Sequence, residues 1–398
     1  MRGAVLGLCL LAMTAAACAE TSGNCSITAG RWDGKMSISW ERGDCAQRQH
    51  CHDGDSEMQW SRWTGITPED LQHEGAAIDA RMTAEAGEMR CTGKVHDGSL
   101  QGSHSFTPNA DFVKRMEAMG FNDQTPERLQ GYAMLDVTIG WVKDMKDAHV
   151  QDMTAENLMG LRALKVDAAY VRAMAADGYP ELEAQKLTSM KAVGVTPAFI
   201  EGFRAMGYKN IPADELISLK SLGVDGDYLK GFSAIGYKNI SASDLSSMKA
   251  TGVTPEFAES FKNIGYKNIP VSDLVSLKAL GITPEYAKSF ENAGFKNISY
   301  NDLTSIKALG ITPEFIKGFE DIGYKNISID TYTSLKSLGI TPEFIEGFKK
   351  IGFENISLDE ATSLKAMGVT PAYVTEMKGK GFKSDDLNKY IELKSAFN

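Results

Sequence analysis

GFKNISYNDLTSIKALGITPEFIKGFEDI, residues 294–322, is repeated at 19 of 29 positions by the segment that follows it. A fixed period of this length is typical of stacked repeats, which usually present surfaces for binding. The period therefore predicts an α-helical solenoid of 29-residue helix pairs. Glycines keep this spacing and only His149 interrupts the series, which comprises Gly120, Gly178, Gly207, Gly236, Gly265, Gly294, Gly323, Gly352 and Gly381.

Each repeat contains two helix-start signals and two helix-stop signals. Ser299 is a good N-cap, and Asp302 stands three positions later, where its carboxylate can reach back to the Ser299 amide in a capping box. Gly310 is the residue type that ends a helix in the left-handed conformation. A second helix is predicted to start at Thr312, ahead of a proline, and to end at Gly323. We name the first helix of each repeat helix A and the second helix B.

Both helices are amphipathic, and one pair cannot bury its apolar side without a neighbouring pair. The apolar positions of this repeat are Leu303, Ile306 and Leu309 in helix A and Phe315, Ile316, Phe319 and Ile322 in helix B. A small residue recurs inside helix B, where we expect close approach of neighbouring backbones: Gly202, Gly231, Ser260, Ser289, Gly318 and Gly347. We expect residues 107–398 to hold about nine repeats, with half-units at both ends.

The N-terminus predicts export. Residues 1–19, MRGAVLGLCLLAMTAAACA, combine the charged Arg2, a short apolar core and small residues before a cleavage point. Cys18 follows three alanines and permits lipid attachment, but ordinary cleavage is favoured because the usual leucine upstream is absent. No later run of about 20 apolar residues exists, so we expect no transmembrane span in the mature chain and a periplasmic or extracellular location.

Residues 24–106 differ in composition from the repeats. They hold four of the five tryptophans, four of the six cysteines and five of the six histidines, and their apolar residues alternate with a period of two. This pattern predicts a small antiparallel β domain, either a sandwich or a partly closed barrel. His96 and His104 are expected to be surface residues on its strands. The fold class is therefore an α+β chain in two parts.

Four cysteines remain after removal of the signal, and an even number in an exported protein indicates two disulfides. Three pairings are open, and proximity favours Cys45 with Cys51, leaving Cys25 with Cys91. The alternative is a zinc site built from the run CAQRQHCH, whose candidate ligands are Cys45, His50, Cys51 and His52.

A basic ladder runs through helix A with the period of the repeat, starting from Arg162 and continuing as Lys191, Lys220, Lys249, Lys278, Lys307, Lys336, Lys365 and Lys394. Glu256, Glu285, Glu314 and Glu343 form an acidic ladder at the start of helix B. One interpretation is that the lysines are solvated or paired with carboxylates and that the glutamates complement helix dipoles. The other is that the lysines bind an acidic protein or an anionic envelope polymer. A third ladder, of aromatic residues, favours packing over ligand stacking: Tyr208, Tyr237, Tyr266, Phe295, Tyr324 and Phe353.

The sequence argues against nucleic acid as a partner, because the net charge is −10 and the pI about 5.3. No nucleophile elbow, phosphate loop or histidine-base arrangement is recognisable, so no cofactor is expected and we expect no enzymatic activity.

SHSFTPNADFVKRMEAMGF (103–121) follows a tryptophan-containing β segment and precedes units such as GVTPEFAESFKNIGYKNIPVSDLVSLKAL (252–280). This combination resembles a bacterial exported repeat family, seen as the extracytoplasmic C-terminal region of membrane metallopeptidases similar to the beta-lactam-sensing antirepressors. The peptidase part is missing, since Ala77 stands where a zinc motif starting at His73 and Glu74 needs its second histidine. The resemblance implies a free-standing sensor-side module.

Three functions follow from these observations. The favoured one is a non-catalytic exported binding or scaffold protein. The second is a regulatory or sensor-side component of a membrane metallopeptidase or antibiotic-response system. The third is a metal-dependent enzyme that uses the cysteines and histidines of residues 45–52.

Overall fold

The computed structural model describes residues 21–30, 34–42 and 54–396. The predicted export signal, Cys18 and the candidate zinc run at residues 45–52 lie outside this part of the chain. The chain divides into two compact units, Met1–Ile217 and Ser218–Asn398, which we name unit 1 and unit 2. None of the described helices is both long and apolar enough to cross a membrane.

Unit 1 begins with one six-stranded antiparallel sheet, in the order β3-β2-β1-β6-β5-β4. The strands are β1 (Thr21–Ala29), β2 (Lys35–Arg42), β3 (Gly54–Gln59), β4 (Ala77–Ala84), β5 (Gly87–His96) and β6 (Ser99–Pro108), and two short 3-10 helices, Trp60–Arg62 and Asp70–Gln72, lie between β3 and β4. The β domain is confirmed, but its described strands belong to a single curled sheet and not to a two-sheet sandwich.

A disulfide between Cys25 of β1 and Cys91 of β5 confirms one predicted pair. These strands lie on either side of β6, and the two Cα atoms are 6.1 Å apart, whereas strands two places apart in a flat sheet are about 9–10 Å apart. The sheet therefore curls sharply at β6. Gly93 and Gly102 are paired there, and a Cβ on Gly102 would lie 2.1 Å from the Thr92 carbonyl oxygen, so this position requires glycine.

The expectation that His104 is a surface residue is wrong. Its side chain is 2% exposed, and its Nδ1 lies 3.2 Å from the Asn24 carbonyl oxygen. The reason is the period of two, which places His104 on the same inward face of β6 as Leu100 and Phe106. His96 is exposed as expected, with its Nδ1 2.8 Å from Glu74 Oε1.

Twenty helices follow the sheet in the described residues. They are α1 (Ala110–Ala118), α2 (Pro126–Leu135), α3 (Ile139–Asp147), α4 (Ala155–Ala163), α5 (Ala168–Ala176), α6 (Ala184–Val193), α7 (Pro197–Arg204), α8 (Ala213–Ser221), α9 (Gly226–Ala234), α10 (Ala242–Thr251), α11 (Pro255–Lys262), α12 (Val271–Ala279), α13 (Pro284–Asn292), α14 (Tyr300–Ala308), α15 (Pro313–Asp321), α16 (Ile329–Ser337), α17 (Pro342–Lys349), α18 (Leu358–Ala366), α19 (Pro371–Gly379) and α20 (Leu387–Ala396). The even-numbered helices are the A helices of their repeats, and the odd-numbered helices are the B helices.

The packing of these helices follows the repeat. In unit 2, helix A contacts helix A of the next repeat, as α12 contacts α14, and helix B contacts the next helix B, as α15 contacts α17. In unit 1, α2 packs against β4, β5 and β6, so the first helix A covers the sheet. The prediction of a helical-repeat region after the β domain is confirmed.

The repeat at residues 294–322 has the predicted caps. Ser299 accepts a hydrogen bond from the Asp302 amide, and Thr312 accepts one from the amide three residues later. Asp302 does not reach the Ser299 amide as predicted, because its Oδ2 accepts from the Ser299 hydroxyl at 2.8 Å instead. Gly310 and Gly323 have φ of 64° and 101°, the conformation in which glycine avoids the Cβ clash.

The first half-unit differs from its prediction. FTPNADF has the plan of helix B, in which Thr107 would cap the helix and Pro108 would start it. Both residues instead extend β6, where they pair with Glu88 and Gly87 of β5, and the N-cap is Asn109. Strand pairing therefore delays the helix by two residues.

Close approach at the small residue of helix B is confirmed for Gly231, Gly318 and Gly347 but not for Gly202, where an added Cβ would meet no described atom within 4 Å. A Cβ on Gly231, Gly318 or Gly347 would lie 2.6, 2.8 and 2.8 Å from the Cγ of the proline that starts the next helix B. At the same position, Ser260 and Ser289 donate to carbonyl oxygens of their own helices, at 2.6 and 2.7 Å. Only a small side chain fits beside the proline ring.

Candidate functional site

The predicted basic ladder packs against aromatic rings. In seven repeats the lysine Nζ lies 4.3–4.9 Å from the centroid of a ring near the start of the preceding helix B, and these contacts are cation–π interactions. The pairs are Lys191 with Tyr170, Lys249 with Tyr228, Lys278 with Phe257, Lys307 with Tyr286, Lys336 with Phe315, Lys365 with Phe344 and Lys394 with Tyr373.

Other contacts of the ladder also join neighbouring repeats. Lys394 donates to the Gly368 carbonyl oxygen at 2.9 Å, just past the end of α18. Arg162 lies 5.5 Å from the Trp141 ring and donates to the carbonyl oxygens of Leu135 and Asp136 at the end of α2. Positive charge is favourable at a helix C-terminus.

The remaining member of the basic ladder, Lys220, lies in α8, at the boundary of the two units. The seven lysines over rings are half-buried, so their geometry indicates a structural contact between repeats.

The acidic ladder stabilises helix starts. The Thr312 hydroxyl and the residue's own amide hold the pKa of Glu314 below its usual value, and the same two kinds of donor act on Glu256, Glu285 and Glu343. These carboxylates complement the positive end of helix B.

The aromatic ladder is also engaged in packing. Tyr237 donates to the Ile269 carbonyl oxygen at 2.9 Å and Tyr266 to that of Ile298 at 2.7 Å, in each case in the following repeat. Tyr324 donates in the same way to Ile356. Burial is the main cause that raises the pKa of Tyr266 to about 12. The hydroxyls of these tyrosines therefore join neighbouring repeats, while Tyr237 and Tyr266 remain half-buried.

A second set of cations is exposed, and the sequence reasoning missed it. One lysine stands two positions after the glycine that ends helix B, in the loop before the next helix A. In unit 2 we name this set the loop row; Glu354 interrupts it, and its members are Lys238, Lys267, Lys296, Lys325 and Lys383. The recurring dipeptide Lys-Asn was the available signal, since four of its asparagines in unit 2 have left-handed φ of 52–60° and so mark a fixed turn.

Two members of the loop row border a groove of about 420 Å³ in unit 2. Lys238, Lys262 and Lys267 line it, together with Tyr237 and Tyr266. No carboxylate lines the groove among the described residues. Within the same part of the chain, Lys238 and Lys267 are exposed and make no ion pair.

The corresponding groove of unit 1, two repeats earlier, has about 200 Å³, and one of its two lining cations is paired with a lining carboxylate. Asp177 stands at the position of Ile235, and its Oδ1 lies 3.1 Å from Nη1 of Arg204, which stands at the position of Lys262. The unit 2 groove therefore differs in both volume and charge, although the two share one backbone plan.

No three His, Cys, Asp or Glu side chains come together as a metal site in the described part of the chain. The candidate zinc ligands Cys45, His50, Cys51 and His52, and with them the second predicted disulfide, lie outside that part. No protein-family model matches the chain, and no curated protein is significantly similar to it.

Proposed function

We propose that this chain is an exported, non-catalytic binding protein whose helical repeats present a basic surface to a protein or an anionic polymer of the cell envelope. The observation that carries the proposal is the loop row, in which an exposed lysine recurs at one position of successive repeats. Stacked repeats display such positions side by side, so they suit an extended partner.

The repeat interior supports a binding role over a catalytic one. The phenylalanine at the centre of helix B is 0% exposed in five successive repeats, so packing fills the space between the helices of unit 2; these residues are Phe232, Phe261, Phe290, Phe319 and Phe348. The predicted signal at residues 1–19 and the Cys25–Cys91 disulfide support export, because disulfides persist in oxidising compartments.

Photo-crosslinking in the native envelope tests this function. A photoreactive residue replaces Lys296 of the loop row, and the control carries it at Lys288, which is exposed on α13. We expect a crosslinked product at Lys296 that excess unlabelled protein suppresses, and little product at Lys288. Mass spectrometry then identifies the partner, including the membrane metallopeptidase that the resemblance implies. Equal labelling at both positions, or none, contradicts the proposal.

A further inference from the structure

The unit 2 groove is a place where the loop row meets apolar surface. Its lining combines three lysines, Lys238, Lys262 and Lys267, with the half-buried Tyr237 and Tyr266. Lys262 also donates weakly to the Ile235 carbonyl oxygen, at 3.4 Å, which keeps its ammonium group at the groove. A ligand that fits this lining carries negative charge together with an apolar face.

The phenol hydroxyls are not the recognition groups, because both are already bound. Tyr237 donates to Ile269 and Tyr266 to Ile298. Glu291, in the same repeat, and Asp302, in the following repeat, act electrostatically on Tyr266, but neither lines the groove. The charged residues of the lining are therefore all lysines, and the tyrosine rings contribute surface.

The kind of cation also informs the ligand class. Residues 218–398 contain 21 lysines and no arginine, against 22 aspartates and glutamates. Arginine forms a rigid fork that matches a single carboxylate or phosphate in two bonds, whereas lysine is a mobile point charge. A lysine-only surface is suited to many similar acidic groups and not to one oriented group.

Repetition favours a polymer over a peptide of unique sequence. The groove lies between neighbouring repeats, and the loop lysines continue past it at Lys296, Lys325 and Lys383. A chain that repeats its own charge can contact several loops at once, and each further contact forms at high effective concentration. A peptide would have to repeat its acidic residues in register with the loops.

We propose that the groove lined by Tyr237, Lys238, Lys262, Tyr266 and Lys267 binds an anionic polysaccharide. The three ammonium groups contact its acidic groups, the apolar faces of its sugar rings pack against the tyrosines, and the loop row extends the contact along the polymer. This inference rests on the proposed binding function and adds a ligand class and a location.

The test is a calorimetric titration of the purified full-length protein with polygalacturonate, a polymer of acidic sugars. Neutral dextran and polyglutamate are the comparison probes. We expect binding to polygalacturonate that weakens as salt rises, because surface charges are screened, and little binding to dextran. Tighter binding to polyglutamate overturns the polysaccharide assignment in favour of an acidic protein segment.

Two pairs of substitutions locate the site. Replacing Lys238 and Lys267 together by glutamine is expected to weaken binding about tenfold. The control pair, Lys288→Gln with Lys317→Gln, removes the same charge from exposed positions on α13 and α15, and we expect less than a twofold effect. An equal loss of affinity in both double variants shows that net charge alone drives binding, and it overturns the assignment of the binding site to the groove.

Ile235→Asp is a further variant, and it retains all three lysines. It copies the arrangement of Asp177 and Arg204 in unit 1, so its carboxylate is expected to pair with Lys262 and to weaken polygalacturonate binding severalfold. Unchanged affinity, in a variant whose circular dichroism matches that of the parent, contradicts the proposal. If polygalacturonate fails to bind while Lys296 still crosslinks to an envelope protein, the polysaccharide inference fails and the proposed function stands.

Discussion

Lys165 occupies a position where the later repeats have glycine, and it keeps the same backbone conformation. Its φ is 55°, compared with 82° and 69° for Gly194 and Gly223 in the next two repeats. Asp136 does the same one repeat earlier, with φ of 58°. The hydrogen bonds that end helix A are intact, since the amide of Val166 donates to the Leu161 carbonyl oxygen at 2.9 Å. The fold therefore imposes the left-handed turn even on residues that disfavour it.

Lys165→Gly is expected to raise the free energy of unfolding by about 0.5–1 kcal/mol. The left-handed conformation costs a residue with a Cβ about 1–2 kcal/mol, and the greater backbone entropy of glycine offsets part of that gain. The control is Lys143→Gly, the same exchange at an exposed position inside α3, where glycine is expected to cost about 1 kcal/mol. Denaturant unfolding measures both, and effects of the same sign contradict the explanation.

Tyr266→Phe removes the hydrogen bond to the Ile298 carbonyl oxygen and is expected to cost about 0.5–1.5 kcal/mol near neutral pH. Because burial raises the pKa of Tyr266 to about 12 from its usual value of 10.0, its neutral form is favoured in the folded state. The stability that the neutral hydroxyl of Tyr266 contributes is fully present below pH 10 and is lost as the pH rises toward 12. The stability of the parent protein should therefore fall more steeply than that of the variant between pH 10 and 12.

Chemical denaturation at several pH values measures this difference. Tyr373→Phe is the control, because within the described residues its hydroxyl has no hydrogen-bond partner, and we expect it to follow the parent curve. Parallel curves for the parent protein and Tyr266→Phe are incompatible with the raised pKa.

At the scale of helices, the contact between successive helix B elements depends on a missing side chain. In Gly318→Ala the added Cβ lies 2.8 Å from Cγ of Pro342, whose ring is rigid and buried. We expect unfolding to become easier by about 1 kcal/mol, since overpacking outweighs the better helix propensity of alanine. In Gly160→Ala, inside α4, the new Cβ meets Thr188 Cγ2 at an ordinary 3.7 Å, and stabilisation is expected. Opposite shifts of the denaturation midpoint are the predicted result.

The basic ladder contributes a second contact between neighbouring repeats. Lys307→Gln removes the charge that lies 4.4 Å from the Tyr286 ring, and we expect a loss of about 0.5–1 kcal/mol. Lys317→Gln, at an exposed position of α15, should change stability by less than about 0.5 kcal/mol. A double-mutant cycle with Tyr286→Leu isolates the interaction. A coupling energy near zero shows that the ring contact adds nothing to stability.

Caps and apolar stripes were predictable from sequence because they depend on residues within one repeat. Ser299, Thr312 and Gly310 sit close to their partners along the chain, and their types dictate the local conformation. The partner of Lys307 was not predictable in this way. The regular spacing of the lysines shows that they form a row, but only the packing of neighbouring repeats decides that each one meets a ring.

The groove could not be predicted from sequence either, because it also depends on the packing of neighbouring repeats. Lys238, Lys262 and Lys267 come from separate turns, and their shared lining depends on how two repeats pack. The contrast between Ile235 and Asp177 has meaning only once both are known to line equivalent grooves. Likewise, the curl at Gly93 and Gly102 follows from strand order, which the period-two pattern does not contain.

At the scale of the whole molecule, the chain has two sources of stability. Unit 1 contains the sheet, with a disulfide that closes a sequence separation of 66 residues, whereas the described helices of unit 2 depend on repeated contacts between neighbours. Stability in repeat arrays comes from nearest-neighbour interfaces, so a change in the sheet should have little effect on distant repeats.

Replacing Cys25 and Cys91 together by serine is expected to destabilise unit 1 by about 3–5 kcal/mol, because the crosslink restricts the unfolded chain. Hydrogen exchange followed by mass spectrometry measures the two units separately in the intact protein. Protection should fall in β1, β5 and β6 and remain near the parent level in α12 and α14. The control is Ser233→Ala, at an exposed position of α9, which should leave the protection of both units unchanged. A uniform loss of protection through Ser218–Asn398 in the cysteine variant means that the units unfold as one, and the division between them then has no energetic meaning.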